Sequence, residues 1–381
     1  MKRYPAVRFI STISVTGLLL LNTVWMVGSV AAGEAKPSWQ AQWEETLRAA
    51  LKEGALSIYF WQGGNLEKAT QAFQKKYPEI RLTMVGGRGS SFVTRILSER
   101  RAATYLVDIC MCGVTSPYEV LHKRAKALEP IKSAFILPEV LDESKWWQGK
   151  HHFQDPERQY IFAYWGRAAA TRISYNTTLI NPAEFKSYWD FLGSKWKGKI
   201  IAIDPNESAG GWRALYYKPG LGPEFLKRLF GEMDATMIRD DRQATDWLAT
   251  GKFSTGFFLR GIPEAKDQGL PVDEFRDSNF KEPPSMDTGP NGTIVLMKHA
   301  PHPNAAKVFI NWFLSREGQI TYQEIMNTPL DQVESMRDDI PKDPIPMDFR
   351  RRKGVNYVPM FTPERMDPGP VLKLFKETSK R

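Results

Sequence analysis

The sequence predicts an α/β protein of two lobes with a ligand cleft between them. Three observations carry that expectation. Short apolar runs alternate with helix-patterned segments about every 25 residues from Ala55 onward. A second such series starts near Ala168, after an irregular stretch rich in charge and Trp at 126–159. Segment 281–291, with three prolines, then leads to the apolar run Thr293–Met297, which reads as a return to the first lobe. A chain of 381 residues is long enough to bury two cores.

Trp39–Lys52 reads as a helix, with Trp39, Trp43, Leu47 and Leu51 on one face and Gly54 ending it. Ala55–Phe60 is a strand. Asn65 caps a helix carrying Leu66, Ala69, Phe73 and Tyr77, and Ile80–Val85 is a second strand. A helix over 92–103 and a strand over Val107–Met111 follow, and Ser116-Pro117 has the cap-then-proline order of a helix start. In the second series, strands are expected at Ala168–Tyr175, Ile200–Ile203 and Phe253–Leu259. Helices are expected at Pro223–Phe230 and Gln243–Ala249, and Ser187-x-x-Asp190 reads as a capping box. His302–Gln319 reads as one amphipathic helix, with Asn304 capping it, Gly318 ending it, and Ala305, Val308, Phe309, Trp312 and Phe313 as its stripe. The resulting division is 37–165 plus 281–335 for the first lobe and 166–280 for the second. Residues 336–381 are expected as a surface tail with a last helix near Val371–Lys376.

At the amino terminus, Lys2, Arg3 and Arg8 precede a mostly apolar run from Phe9 to Val27, and Val30-Ala31-Ala32 offers small residues for cleavage. Residues 1–32 thus read as a cleavable signal peptide; Ser11, Thr12, Ser14, Thr16 and Asn22 weaken the run as a spanning helix. The formal charge is +9, of which those three basic residues supply three. Apart from Arg350–Lys353, the remaining excess is spread along the chain, unlike the concentrated basic patches of nucleic-acid binders. The only cysteines, Cys110 and Cys112, fall on one face of a strand and read as buried free thiols. His151-His152 has no spacing for joint zinc ligation. No nucleotide-binding loop, nucleophile elbow or zinc-protease motif occurs, so neither a cofactor nor catalysis is indicated.

The string HPNAAKVFINWFLSREGQ at 302–319 closely resembles the late helix of family 1 extracellular solute-binding proteins. FQKKYPEI at 73–80, GRGSSFVTRILSERRAATYLVDI at 87–109 and SYWDFLGSKWKGKIIAIDP at 187–205 are similar to further blocks of that family, the last in its ferric-transport-like branch. The resemblance spans about residues 55–325. It implies the type II periplasmic binding protein fold and, for function, a monomeric periplasmic carrier. Such a carrier delivers a small polar, anionic solute to an ABC permease. The same likeness leaves a ferric-iron carrier or a sensor input subunit as alternatives, with a periplasmic hydrolase as the enzyme reading. Ferric binders of the branch carry clustered tyrosines after the strand that here ends in Phe257-Phe258-Leu259-Arg260-Gly261, which offers no phenolate.

Turns at the carboxyl ends of strands supply the candidate ligand contacts. In the first lobe these are Gln62, the run Arg88-Gly89-Ser90-Ser91, and Thr115. The second lobe supplies Ser208, Gly210 and Gly211. Glycines admit close backbone approach, and helix starts present free N–H groups to an anion. Plain capping is the competing explanation for each. Asn176 ends the strand that enters the second lobe, where it could bond ligand or hinge. Arg260 could neutralise an anion or be a surface residue.

Overall fold

The computed structural model of the protein describes residues 38–379 except 62–64, 88–90, 170–171, 277–278, 288–291, 328–331 and 346. The expected signal peptide lies outside the described residues. The first lobe opens with α1 (Ser38–Glu53), β1 (Ala55–Trp61), α2 (Leu66–Lys76), β2 (Arg81–Gly87), α3 (Ser91–Arg101) and β3 (Ile109–Cys112). All four residues of β3 are buried, as befits a parallel strand covered on both faces. A π-helical segment, Ser116–Arg124, then leads to β4 (Leu128–Glu129), α4 (Pro138–Leu141) and β5 (Phe162–Ala163).

The chain leaves through β6 (Arg167–Ala169). It builds a second sheet from β7 (Ile173–Asn176), β8 (Ile200–Ile203), α5 (Gly210–Tyr216), α6 (Gly222–Glu232), β9 (Thr236–Ile238), α7 (Asp241–Ala249), β10 (Thr255–Phe257), α8 (Ile262–Asp267) and β11 (Val272–Glu274). Strand order in this sheet is β11-β7-β10-β8-β9. β12 (Ser285–Asp287) carries the chain back to β13 (Thr293–Met297), which lies antiparallel on β3 and completes the order β2-β1-β3-β13-β4, with β5 beside β13. α9 (Pro303–Leu314) and α10 (Arg316–Met326) close the first core. Last come β14 (Val358–Pro359), α11 (Pro363–Met366) and α12 (Gly369–Thr378). The linking strands β6 and β12 pair with each other, and β14 joins them as a third strand.

The segment read as a single helix at 302–319 is two. Ser315 leaves helical geometry, and its hydroxyl accepts from the Gly318 N–H at 3.2 Å, capping α10. Asn304 caps nothing; its N–H and its side-chain amide donate to the Glu53 carboxylate. The expected one-sided stripe is also too narrow, because nine of the twelve residues of α9 are buried. Among them is Asn311, whose amide oxygen accepts from the Ile136 and Leu137 N–H groups and whose amide nitrogen donates to Ala134 O. Asn65 likewise makes no side-chain cap and donates to Ile325 O instead. The Ser187–Asp190 capping box is present, opening the short helical segment Tyr188–Leu192.

Residues from 336 onward are not a surface tail. Met336, Arg337 and Ile345 are at most 1% exposed. Arg337 is kept in the interior by a two-pronged pair with Asp339 at 2.7 and 2.8 Å and by donation to the carbonyls of Glu139 and Leu314. Phe361 joins the first core, yet Val371 and Leu374, ten and thirteen residues on, belong to the second. The C-terminal chain is therefore a strap fixed to both lobes. Between Met336 and Phe361 its apolar residues are too scattered to show a helical or strand period, which is why that stretch reads as surface, whereas the helix expected near Val371–Lys376 is present as α12.

Candidate functional site

Register brings the candidate turns together. In the first sheet Trp61 lies opposite Gly87, and Phe60 opposite Met111, so β1, β2 and β3 finish at one edge. Thr293 opens β13 at the same edge, opposite Cys112, and its hydroxyl bonds Cys112 O and Gly113 O at 2.8 and 3.0 Å. Ser91 starts α3 hard against the end of β2. A Cβ on Gly87 would lie 2.7 Å from Ser91 Oγ and 3.1 Å from Phe92 Cβ, so glycine is what lets helix and strand meet so closely. Ser91 and Thr115 are exposed, with no side-chain hydrogen bond to another described residue. Gln62, Arg88, Gly89 and Ser90 lie outside the described residues.

In the second sheet Ile203 faces Ile238, and Ala202 faces Phe257, so β8, β9 and β10 also finish together. β7 runs the other way, with Ile173 opposite Phe257. The hinge strand β6 thus leaves β5 beside Thr293 and delivers the chain to the edge where β8 and β10 end. These two edges are the ones the hinge joins.

At the second edge, Trp212 on α5 donates from its indole to Ile203 O at 2.8 Å, and the Phe258 ring stands edge-on to Trp212 at 4.7 Å. A Cβ on Gly211 would come within 2.1 Å of the Phe258 ring. Gly211 is therefore a packing glycine beneath Phe258. Gly210 has open space around it, and the half-buried Ser208 has no side-chain hydrogen bond to another described residue. Arg260 sits at this edge with a side chain 65% exposed; its N–H donates to Asp241 Oδ1 at 3.0 Å, and its guanidinium is 4.0 Å from the same carboxylate.

Asn176 belongs to the opposite edge, because β7 is antiparallel and ends where β10 begins. Its amide donates to Leu248 O and Ala249 O and accepts from the Thr178 N–H and hydroxyl. That uses its whole hydrogen-bonding capacity inside the second lobe and leaves nothing for a ligand. Trp212 is fully buried.

Sequence reasoning passed over Arg213. This half-buried residue of α5 donates to Arg365 O at 2.9 Å and has no carboxylate within 4 Å among the described residues. Burial lowers its pKa, and Asp287 on the hinge strand β12 acts in the opposite sense. Nothing in GGWRALYY marks this arginine; only the strap, which covers it from α11, makes it a buried cation. Nearby, the Tyr217 hydroxyl donates to Glu364 O, and burial followed by Tyr216 raises its pKa.

The buried thiols Cys110 and Cys112 lie 3.2 Å apart, and burial pushes the Cys110 thiol well up. His151 and His152 bond separate carbonyls, those of Val140 and Trp147. Among the described residues no group of three or more His, Cys, Asp or Glu is placed to hold a metal, and no helix is long and apolar enough to cross a membrane.

No curated protein sequence matches the chain significantly. Solved structures match its fold. An iron-binding protein of Trichodesmium in complex with iron and citrate is 19% identical, with a TM-score of 0.59, 86% of this chain covered and 100% of that one. The ferric binding protein of Campylobacter jejuni is 16% identical, with a TM-score of 0.55 and coverage of 86% and 100%. The periplasmic binding protein AfuA of Actinobacillus pleuropneumoniae, with fructose-6-phosphate bound, is 18% identical, with a TM-score of 0.51 and coverage of 85% and 97%. The model of the bacterial extracellular solute-binding protein family matches residues 62–320. With two α/β lobes joined at the edges where their parallel strands finish, the chain belongs to that family of binding proteins.

Proposed function

We propose that the protein is exported to the periplasm, captures one small anionic solute between its lobes, and delivers it to an ABC permease. The observation that carries this reading is Arg213. A half-buried guanidinium beside the edge the hinge presents, with Asp287 and Asp367 acting on it only from beyond ion-pair distance, is placed to pair with a bound negative group. Ser91, Thr115 and Ser208 add hydroxyls uncommitted to other described residues. Arg260 contributes charge at the rim. A solute that touches both edges stabilises the shut form, and that population shift is what a permease would read.

Ferric iron is the weaker reading. The segment after β10 supplies Phe258 over Trp212, and the raised pKa of Tyr217 runs against phenolate formation. Native mass spectrometry of protein purified from periplasm, followed by thermal melting with phosphate, sugar phosphates, dicarboxylates and ferric citrate, tests the proposal. An anion should raise the Tm, and Arg213→Ala should weaken its binding roughly 10- to 100-fold. No Tm rise with any compound, or equal binding by the variant, overturns it.

A further inference from the structure

Away from the paired sheet edges, a cavity of about 250 Å³ opens between segment 147–158 of the first lobe and the C-terminal strap. None of the described cleft candidates lines it. Its walls combine three kinds of chemistry. Trp147 and Tyr357, with ring centroids 6.2 Å apart, together with Phe153 and Phe361, give aromatic surface. Lys150 and Arg158 give two exposed cations, and no Asp or Glu is among the described residues of the wall.

The third contribution is His152, 8% exposed. Its Nε2 lies 2.8 Å from Trp147 O, an acceptor, so Nε2 carries the proton. Burial, then the nearby Arg351, holds its pKa down to about 4, so the ring is neutral. Nδ1 is then a lone-pair acceptor, and no other described residue donates to it. Gln148 and Arg158, both in the wall, also have left-handed backbones with φ of 58° and 54°. Such strain in non-glycine residues recurs where side chains are held for a ligand.

A cavity offering cations, ring faces and a neutral acceptor, with no negative group among its described residues, fits a planar anion with a hydroxyl. Its volume suits one ring. We propose that the cavity is a second small-molecule site, separate from the cleft, that takes a hydroxylated aromatic carboxylate. The carboxylate pairs with Lys150 and Arg158, the ring lies among Trp147, Tyr357 and Phe361, and the hydroxyl donates to His152 Nδ1. Because Tyr357 and Phe361 belong to the strap and Met286 to the hinge strand β12, an occupant would touch the element that ties the lobes together.

The test is calorimetric titration of the purified protein with 4-hydroxybenzoate and, separately, with benzoate. One saturable site is expected, with benzoate about tenfold weaker for want of the hydroxyl. The double variant Lys150→Gln/Arg158→Gln should weaken both at least roughly tenfold while keeping its Tm, since both side chains are exposed. His152→Phe should erase the preference for the hydroxylated probe. The proposal is overturned by the absence of saturable binding up to about 10 mM. Double-variant binding equal to the parent's, or equal affinity for the two probes, overturns it as well.

Discussion

The first lobe completes its core with α9, which buries Phe309, Trp312 and Phe313 among nine of its twelve residues. The second lobe completes its core with α12, which buries only Val371 and Leu374 and sets Phe375 against Phe230 at 5.0 Å. Both helices come from chain that has already left the lobe it finishes. The first has become a central pillar, walled in by α1, α2 and the sheet. The second remains a clasp on the outside of α6. Depth of insertion thus separates an element a lobe needs in order to exist from one that only secures it.

The largest test of that difference is Phe309→Ala, expected to cost about 3–5 kcal/mol and to unfold the first lobe. Truncation after Asp367, which removes α12, should leave the first lobe's amide protection intact and loosen only the second. Equal losses in the two lobes, read by hydrogen exchange, would erase the pillar–clasp distinction.

A smaller effect comes from pH. His152 stays neutral in the fold down to about pH 4, whereas an unfolded histidine takes a proton near pH 6.5. The unfolded chain therefore binds the extra proton between these values, so this contribution is whole above pH 6.5 and is lost as pH falls toward 4, about 3 kcal/mol in all. Melting at pH 7 and pH 4.5 should show the drop, and His152→Gln should shrink it.

Smaller again, Asn176→Ala should cost about 1–3 kcal/mol through the carbonyls it leaves unpaired, without changing ligand affinity. Weakened capture in that variant would place Asn176 back at the cleft. Least of all, Arg260→Ala should shift stability by less than about 0.5 kcal/mol, as an exposed pair at 4.0 Å does little.

Much of this was legible in the sequence. Apolar runs such as Ile200–Ile203 and Thr293–Met297 are strands because only buried parallel or central strands are apolar throughout. What the pattern could not show was direction. Asn176 and Arg260 both adjoin strand ends, yet β7 is antiparallel and sends Asn176 to the far edge. Gly211 looked like a ligand-facing glycine because the demand placed on it by Phe258 comes from 47 residues away. Arg213 and the strap share one reason for being missed: each is buried by the other's neighbours, and no local period records that. The break at Ser315 was missed because the apolar spacing of α9 and α10 runs through it almost in phase.

Phe361 in one core and Val371 in the other also constrain the order in which the molecule can be assembled. A chain emerging amino terminus first shows an unfinished first sheet until β13 and α9 appear, and an unsealed second lobe until α12 is free. Neither half can mature by itself at its own point along the polypeptide. Final locking of the second lobe waits on α12, so deletion of that helix would leave a half-clasped molecule.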